Sequence, residues 1–242
     1  LLQSSAASDV YKRQLKHRSW NKISLNTQKT NLAEYNARML STIANQLSRF
    51  PLKKWGPTSG DSKNTAAVLV LLHGDNENPK VLLTQRAMHL KTHAGEVAFP
   101  GGMWDSIDTD LLQTALREAN EEVGLQAEAV KPIATLPTAS PRRREISVTP
   151  YVALASGPLH LNSDSDEIST IFNVPLTFFL RHDEYKYFEM EIPSEEGIRE
   201  IRFPYITYKD FKIWGFTLKV LTDMLNDTID AEIDLDYPFH SK

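Results

Sequence analysis

The sequence predicts a layered α/β fold, and three observations carry that prediction. Apolar, β-rich runs lie on both sides of a single well-formed helical stretch at 111–123, further helical stretches stand near the two ends, and no internal repeat is present. Strand runs flanking a lone central helix pack as a sheet with helices laid against it. The chain has 242 residues, 41% of them hydrophobic and 24% charged, ordinary values for a folded protein with one large domain or two small ones.

The elements follow in order. Residues 1–14, "LLQSSAASDVYKRQ", lack an initial Met and resemble translated adapter sequence, so they are set aside as a non-native segment. Over 31–50, Leu32, Tyr35, Met39, Ile43 and Leu47 recur at steps of three and four, an amphipathic helix that Pro51 ends. Residues 51–64 read as a linker, so that 15–64 form a helix and linker ahead of a main domain over 65–226. "AAVLVLL" and "KVLLTQR" read as a hairpin around the turn cluster "HGDNENP". "HAGEVAFPGG" reads as a Gly-Pro turn leading to the helix, with Glu96 and Val97 on a strand as the alternative. "SVTPYVALA" is a strand, "HLNSDSDE" a polar loop and "ISTIFNVPL" a short apolar segment. Alternation over 185–208 around "SEEG" predicts a second hairpin, and a last helix runs over 214–225. Residues 227–242, with "TIDAEIDLD", read as an acidic tail or an edge strand.

Composition excludes several functions. A net charge of −4 leaves no general basic footprint for nucleic acid, though a local patch can still grip a phosphorylated small molecule. The absence of cysteine removes disulfide scaffolds, thiolate zinc sites and cysteine nucleophiles together. No apolar stretch reaches the roughly 20 residues that span a bilayer, and no signal-type apolar core is seen at the start. The expectation is a cytoplasmic protein without a membrane partner.

The helix at 111–123 carries the chemistry. At about 100° per residue, Leu112, Ala115, Leu116, Ala119 and Val123 share one arc and face the core, while Glu118, Glu121 and Glu122 gather on a second arc at its rim. Acids in a last turn oppose the helix dipole, and like charges four apart add to the cost, with Arg117 placed to offset Glu121. A solvated charged face is one reading; a bound hard divalent cation, which takes carboxylate oxygens, is the other. Gly124 suits the left-handed position that ends the helix, and Asp108 and Asp110 read as caps at its start.

"GGMWDSIDTDLLQTALREANEEVGL", residues 101–125, resembles the signature box of the Nudix hydrolases. Arg117, Glu118, Glu121, Glu122, Gly124 and Leu125 match its second half, with Ala119 as a small version of its aliphatic position. The first half departs: fourteen residues separate Gly102 from Arg117 where the general pattern has thirteen, and Asp108 takes the acidic position. The resemblance implies an α/β/α sandwich around a mixed β-sheet and hydrolysis of a diphosphate linked to another moiety. It also implies that Glu118 and Glu122 bind Mg²⁺ or Mn²⁺, that Glu121 is a further ligand or the water-activating base, and that Arg117 orients Glu121. Glu167, in "SDSDEIST", sits where many relatives carry a loop carboxylate serving as base or extra ligand, with an exposed loop acid as the alternative.

Just upstream, "LLTQRAMHLKTHAGEVAFPGG" resembles the additional motif of the coenzyme A diphosphatase subgroup of that family, with Leu82, Leu83, Thr84, Ala87, Gly95, Phe99, Pro100, Gly101 and Gly102 in register. The one-residue-longer box points the same way. Arg86, Lys91, Gly95, Phe99, Gly101 and Gly102 are the candidate substrate-binding residues on this resemblance, although two of them depart from the motif, Arg86 replacing its second Thr and Lys91 replacing an Arg and so losing the bidentate fork. The implied reaction converts coenzyme A to 3′,5′-ADP and 4′-phosphopantetheine, with no cofactor beyond the metal. A Nudix hydrolase of another dinucleotide, such as ADP-ribose or NADH, is the nearest rival, and a non-catalytic nucleotide sensor the rival of another class. "RRR" at 142–144 reads as a solvated loop run with a nucleotide phosphate contact as its alternative, His89 and His93 read as surface residues, and the sequence leaves a homodimer open.

Overall fold

The computed structural model describes residues 38–57, 64–140, 146–162, 165–194 and 197–238. The segment 1–14, Leu32 and Tyr35 of the first helical stripe, and the arginines at 142–144 lie outside the described residues. Three α-helices are described: α1 (Met39–Gln46), α2 (Leu111–Val123) and α3 (Gly215–Ile229). The main sheet has seven strands, β1 (Thr65–His73), β2 (Lys80–Arg86), β3 (Val97–Ala98), β4 (Gly101–Met103), β5 (Val130–Thr135), β6 (Ser147–Ala155) and β7 (Ile168–Pro175). Strands β8 (Lys186–Ser194), β9 (Gly197–Tyr208) and β10 (Phe211–Trp214) form a second, antiparallel sheet.

The main sheet runs β3-β2-β1-β6-β5, with β4 added to β1 and β7 to β2. β1 and β6 are parallel and the other pairs antiparallel, so the sheet is mixed, as expected. Leu69, Val70, Leu71 and Leu72 are all fully buried, which explains why β1 reads as a continuous apolar run: both faces of the strand are covered. On one face Ala67, Leu69 and Leu71 pack with Leu112, Ala115, Ala119 and Val123 of α2. α1, followed by a 3₁₀ turn at Leu47–Arg49, packs against α3, and its expected stripe Met39, Ile43 and Leu47 is fully buried. Among the described residues no helix is long and apolar enough to cross a membrane.

Several expectations need correction. β1 and β2 pair only beside their turn, through Leu72 with Val81 and His73 with Lys80; beyond that β1 pairs with β4 and β6, and β2 with β7. "HAGEVAFPGG" contains two short strands, with Gly101 and Gly102 inside β4 opposite Val68 and Ala67. The described part of the expected linker is tied down: Lys53 N–H donates to Thr135 Oγ1 at 2.8 Å, Lys53 C=O accepts from the Tyr151 hydroxyl at 3.0 Å, and Trp55 C=O accepts from the first N–H of α2. α3 continues to Ile229, and residues 230–238 contain no strand; Asn226 brackets the backbone of buried Ile233 through both its amide groups and holds this segment in place.

Candidate active site

α2 begins and ends as its sequence dictates. The Asp110 side chain accepts from Gln113 N–H at 3.0 Å, and Gln113 returns by accepting from the backbone and hydroxyl of Thr109. Gly124 closes the helix at φ 68°, with Asn162 packed where a Cβ would stand. The last turn carries no basic residue, so the cost of its acids at the negative end of the dipole is not offset there.

Arg117 organises the outer part of the cluster. Its Nε and Nη2 donate to the two oxygens of Asp108 at 2.9 and 3.0 Å, Nη1 to Glu118 at 2.9 Å and to Glu121 at 3.2 Å, and Nη2 also to Met103 C=O at 3.1 Å. All five guanidinium N–H groups therefore have acceptors. Asp108 is not a cap: its side chain is 1% exposed and also accepts from Thr114 Oγ1 and Asp105 N–H. Burial alone would raise its pKa, but the bonds from Arg117, Asp105 and Thr114 hold it below the usual carboxylate range. Asp110 alone of the two expected caps bonds a helix N–H. Sequence reasoning missed Asp108 as the anchor of Arg117; the one available signal was its place at the acidic position of the box.

The three glutamates have three environments. Glu121 is 58% exposed and touches only Arg117 among the ion pairs described. Glu118 is partly buried against Gly102, where an added Cβ would come within 2.5 Å of its carboxyl carbon; burial raises its pKa against the opposing pull of Arg117. Glu122 is the most enclosed, its side chain 10% exposed, and it accepts from Gly101 N–H at 3.1 Å. Burial first, then the charges of Glu118 and Glu167, push its pKa up to about 7, against Gly101 N–H and Arg86.

Strand pairing brings the remaining groups to Glu122. β2 and β7 place Arg86 beside Ile168, so the neighbouring Glu167 meets the guanidinium. Arg86 Nη2 lies 3.4 Å from Glu167 and Nη1 4.0 Å from Glu122, while its buried Nε has no partner among the described residues. A buried donor without an acceptor costs about 1–3 kcal/mol, so this arrangement is an unfinished one. Gly95, at φ 71°, donates its N–H to Arg86 C=O and Arg86 N–H donates to Glu96 C=O, closing the 87–96 loop on Arg86. Lys91 is exposed on that loop, His89 is exposed, and half-buried His93 pairs with Glu96 at 2.7 Å. Phe99 is 3% exposed and belongs to the core rather than to an open surface.

The donor set fits a hard divalent cation. Glu118 and Glu122 offer carboxylate oxygens, the ligand type that Mg²⁺ and Mn²⁺ take; burial first raises both pKa values, with neighbouring acids adding to it (Glu121 and Asp108 at Glu118, Glu118 and Glu167 at Glu122), a conflict that added positive charge relieves. Among the described residues no three acidic or histidine side chains already converge as a cage; Arg117 pairs with Glu118 and Glu121, and Arg86 stands by Glu122.

Comparison with known proteins identifies the family. Residues 63–200 match the NUDIX domain. The chain is 35% identical over 185 residues to an uncharacterized Nudix hydrolase, NudL, of Enterobacter sp. (strain 638), covering 76% of this chain and 93% of that one. It is 33% identical over 183 residues to the protein of the same description from Salmonella typhimurium, with 76% and 93% covered. A crystal structure of a MutT/nudix family protein from Enterococcus faecalis aligns with a TM-score of 0.43 at 19% identity, over 86% of this chain and 76% of that one. On the domain match and the extent of likeness to NudL, this chain belongs to the Nudix family of hydrolases, which act on nucleoside diphosphate derivatives and generally use divalent metal ions such as Mg²⁺ or Mn²⁺.

Proposed function

We propose that this Nudix chain hydrolyses the diphosphate of coenzyme A, giving 3′,5′-ADP and 4′-phosphopantetheine, with Mg²⁺ or Mn²⁺ as cofactor. The observation that carries the proposal is the meeting of the upstream segment with the glutamates: Gly101 N–H bonds Glu122, Gly102 lies against Glu118, and Arg86 faces both Glu122 and Glu167. The motif that resembles the coenzyme A subgroup thus supplies part of the wall around the carboxylates.

Glu118 and Glu122 would hold the metal, with Glu121 or Glu167 as a further ligand. When bound, the metal neutralises charge on the diphosphate oxygens and lowers the pKa of water. The chain's own residues do the positioning. Asp108 fixes Arg117, Arg117 holds Glu118 and Glu121, and Gly102 leaves room for the Glu118 carboxylate. Of the two candidates for the general base we favour Glu167, because it stands across Arg86 from Glu122 whereas Glu121 is turned to Arg117. Arg86 supplies positive charge for a phosphate oxygen, and the exposed Lys91 is available for the 3′-phosphate.

The test is a product assay with Mg²⁺ or Mn²⁺ across coenzyme A, ADP-ribose and NADH. Preferential release of 3′,5′-ADP, lost in Glu122→Gln, is expected. Equal or better turnover of ADP-ribose or NADH would replace the coenzyme A assignment, and metal-independent binding without turnover would replace catalysis by nucleotide sensing. Glu167→Gln is expected to depress kcat more than Glu121→Gln; the reverse order would assign the base to Glu121.

A further inference from the structure

Two arginines meet the glutamate cluster, and they are held in opposite ways. Arg117 spends every N–H it has, on Asp108, Glu118, Glu121 and the Met103 carbonyl. Arg86 does not: its nearest carboxylate oxygens among the described residues are 3.4 and 4.0 Å away, and its buried Nε has no partner among those residues. Settled guanidinium–carboxylate bonds close to about 2.7–2.9 Å. Arg86 is therefore attracted by Glu122 and Glu167 without being locked to either. Its backbone is fixed, with N–H on Glu96 C=O and C=O on Gly95 N–H. A fixed backbone with a loosely held head group is a side chain that can change partners without refolding.

We propose that Arg86 is a charge switch: it offsets Glu122 and Glu167 while no metal is bound, and passes to the substrate's diphosphate when a divalent cation takes over the carboxylates. The second half of this statement rests on the diphosphatase reading above; the first half does not. Arg86 and a divalent cation answer the same negative charges, so each weakens the hold of the other. A diphosphate then offers what the carboxylates do not, a set of oxygens matching the planar fork, including an acceptor for the orphaned Nε. Arg117 cannot make this exchange, because releasing it would strand the buried Asp108.

The experiment measures Mn²⁺ binding by electron paramagnetic resonance without nucleotide, then ADP binding at saturating Mn²⁺, for wild type, Arg86→Gln and Arg86→Lys. Arg86→Gln is expected to bind Mn²⁺ at least about fivefold more tightly, the factor for two unit charges about 4 Å apart in water-like surroundings and so a lower bound for a divalent ion. It is expected to bind ADP at least about fivefold more weakly, having lost both charge and fork. Arg86→Lys keeps the charge, so its Mn²⁺ affinity is expected within about twofold of wild type while ADP still weakens. Unchanged or weaker Mn²⁺ binding in Arg86→Gln overturns the switch, and is what a merely structural arginine would give. Tighter Mn²⁺ with unchanged ADP overturns the hand-over. Should Arg86→Gln not fold, Arg86→Lys still decides, since a Mn²⁺ affinity displaced well beyond twofold, or unweakened ADP binding, contradicts the proposal. The Mn²⁺ arm contains no nucleotide, so its outcome is separate from whether coenzyme A is the substrate.

Discussion

Replacing Glu122 by Gln removes a charge from the most enclosed of the three glutamates while keeping an oxygen for Gly101 N–H. The folded state pushes the Glu122 pKa from 4.5 to about 7, first through burial. A folded pKa above the unfolded one means that the native state holds the proton more tightly. In metal-free protein the stability linked to this group is then fully present below about pH 4.5 and is lost as pH rises through about 7. At 1.36 kcal/mol per pH unit the loss comes to about 3 kcal/mol. Gln bears no charge at any pH and escapes it. Urea denaturation of both proteins in chelator, from pH 5 to 8, gives the difference curve, in which shifts at other groups cancel, such as the lowering at His73 by burial. The Gln variant is expected to gain on wild type by about 3 kcal/mol across that window, most of it between pH 5 and 7. Saturating Mg²⁺ is expected to restore wild-type stability above pH 7. Parallel stability curves for the two proteins would refute the reasoning, because Glu122 would then carry its charge in the fold at no cost.

Asp108→Ala leaves Arg117 without its buried partner, and a loss of about 3–5 kcal/mol in urea denaturation is expected, with activity falling as Glu118 and Glu121 lose their support; a loss under about 1 kcal/mol would mean that the pair is spanned by water. Gly102→Ala places a Cβ within 2.5 Å of the Glu118 carboxyl and is expected to weaken Mn²⁺ binding while leaving thermal stability within a few degrees; unchanged Mn²⁺ affinity would remove Glu118 from the ligand set. Tyr151→Phe deletes the hydroxyl that holds Lys53 C=O and is expected to cost about 1 kcal/mol, with faster amide exchange over 51–57; unchanged exchange there would show that this segment is held by other contacts.

What could be read from the sequence follows the range of the interactions involved. α2 was legible to the residue because its signals are local: a 3.6-residue apolar period, Asp110 at one end and Gly124 at the other. The stripe of α1 and the β8–β9 hairpin were legible for the same reason. β5 was not, since Pro132 interrupts its alternation, and the structure accommodates that proline with a register shift on an edge strand. β3 and β4 were hidden because two or three residues give no period, and glycines in a strand read as a turn.

The site divides in the same way, and the division bears on its chemistry. Adjacency in the chain makes Glu121 and Glu122 look interchangeable, yet one is largely in solvent beside Arg117 and the other is enclosed beside Arg86. That difference comes from the packing of α2 on β1 and from the β2–β7 pairing, neither of which the box itself contains. Arg86 reaches Glu122 across 36 positions and Glu167 across 81, distances in sequence over which no local pattern operates. A motif of equivalent-looking acids thus becomes three unequal ones: Glu122 costly to ionise without a cation, Glu118 braced by Arg117, Glu121 open to water. Under the proposed reading this inequality is useful, since the enclosed acids would serve as metal ligands while Glu167, the favoured base, is exposed beside Arg86. These unequal surroundings are set by long-range strand pairing, and a variant that alters the β2–β7 register is expected to lower turnover in the product assay even with every glutamate in place.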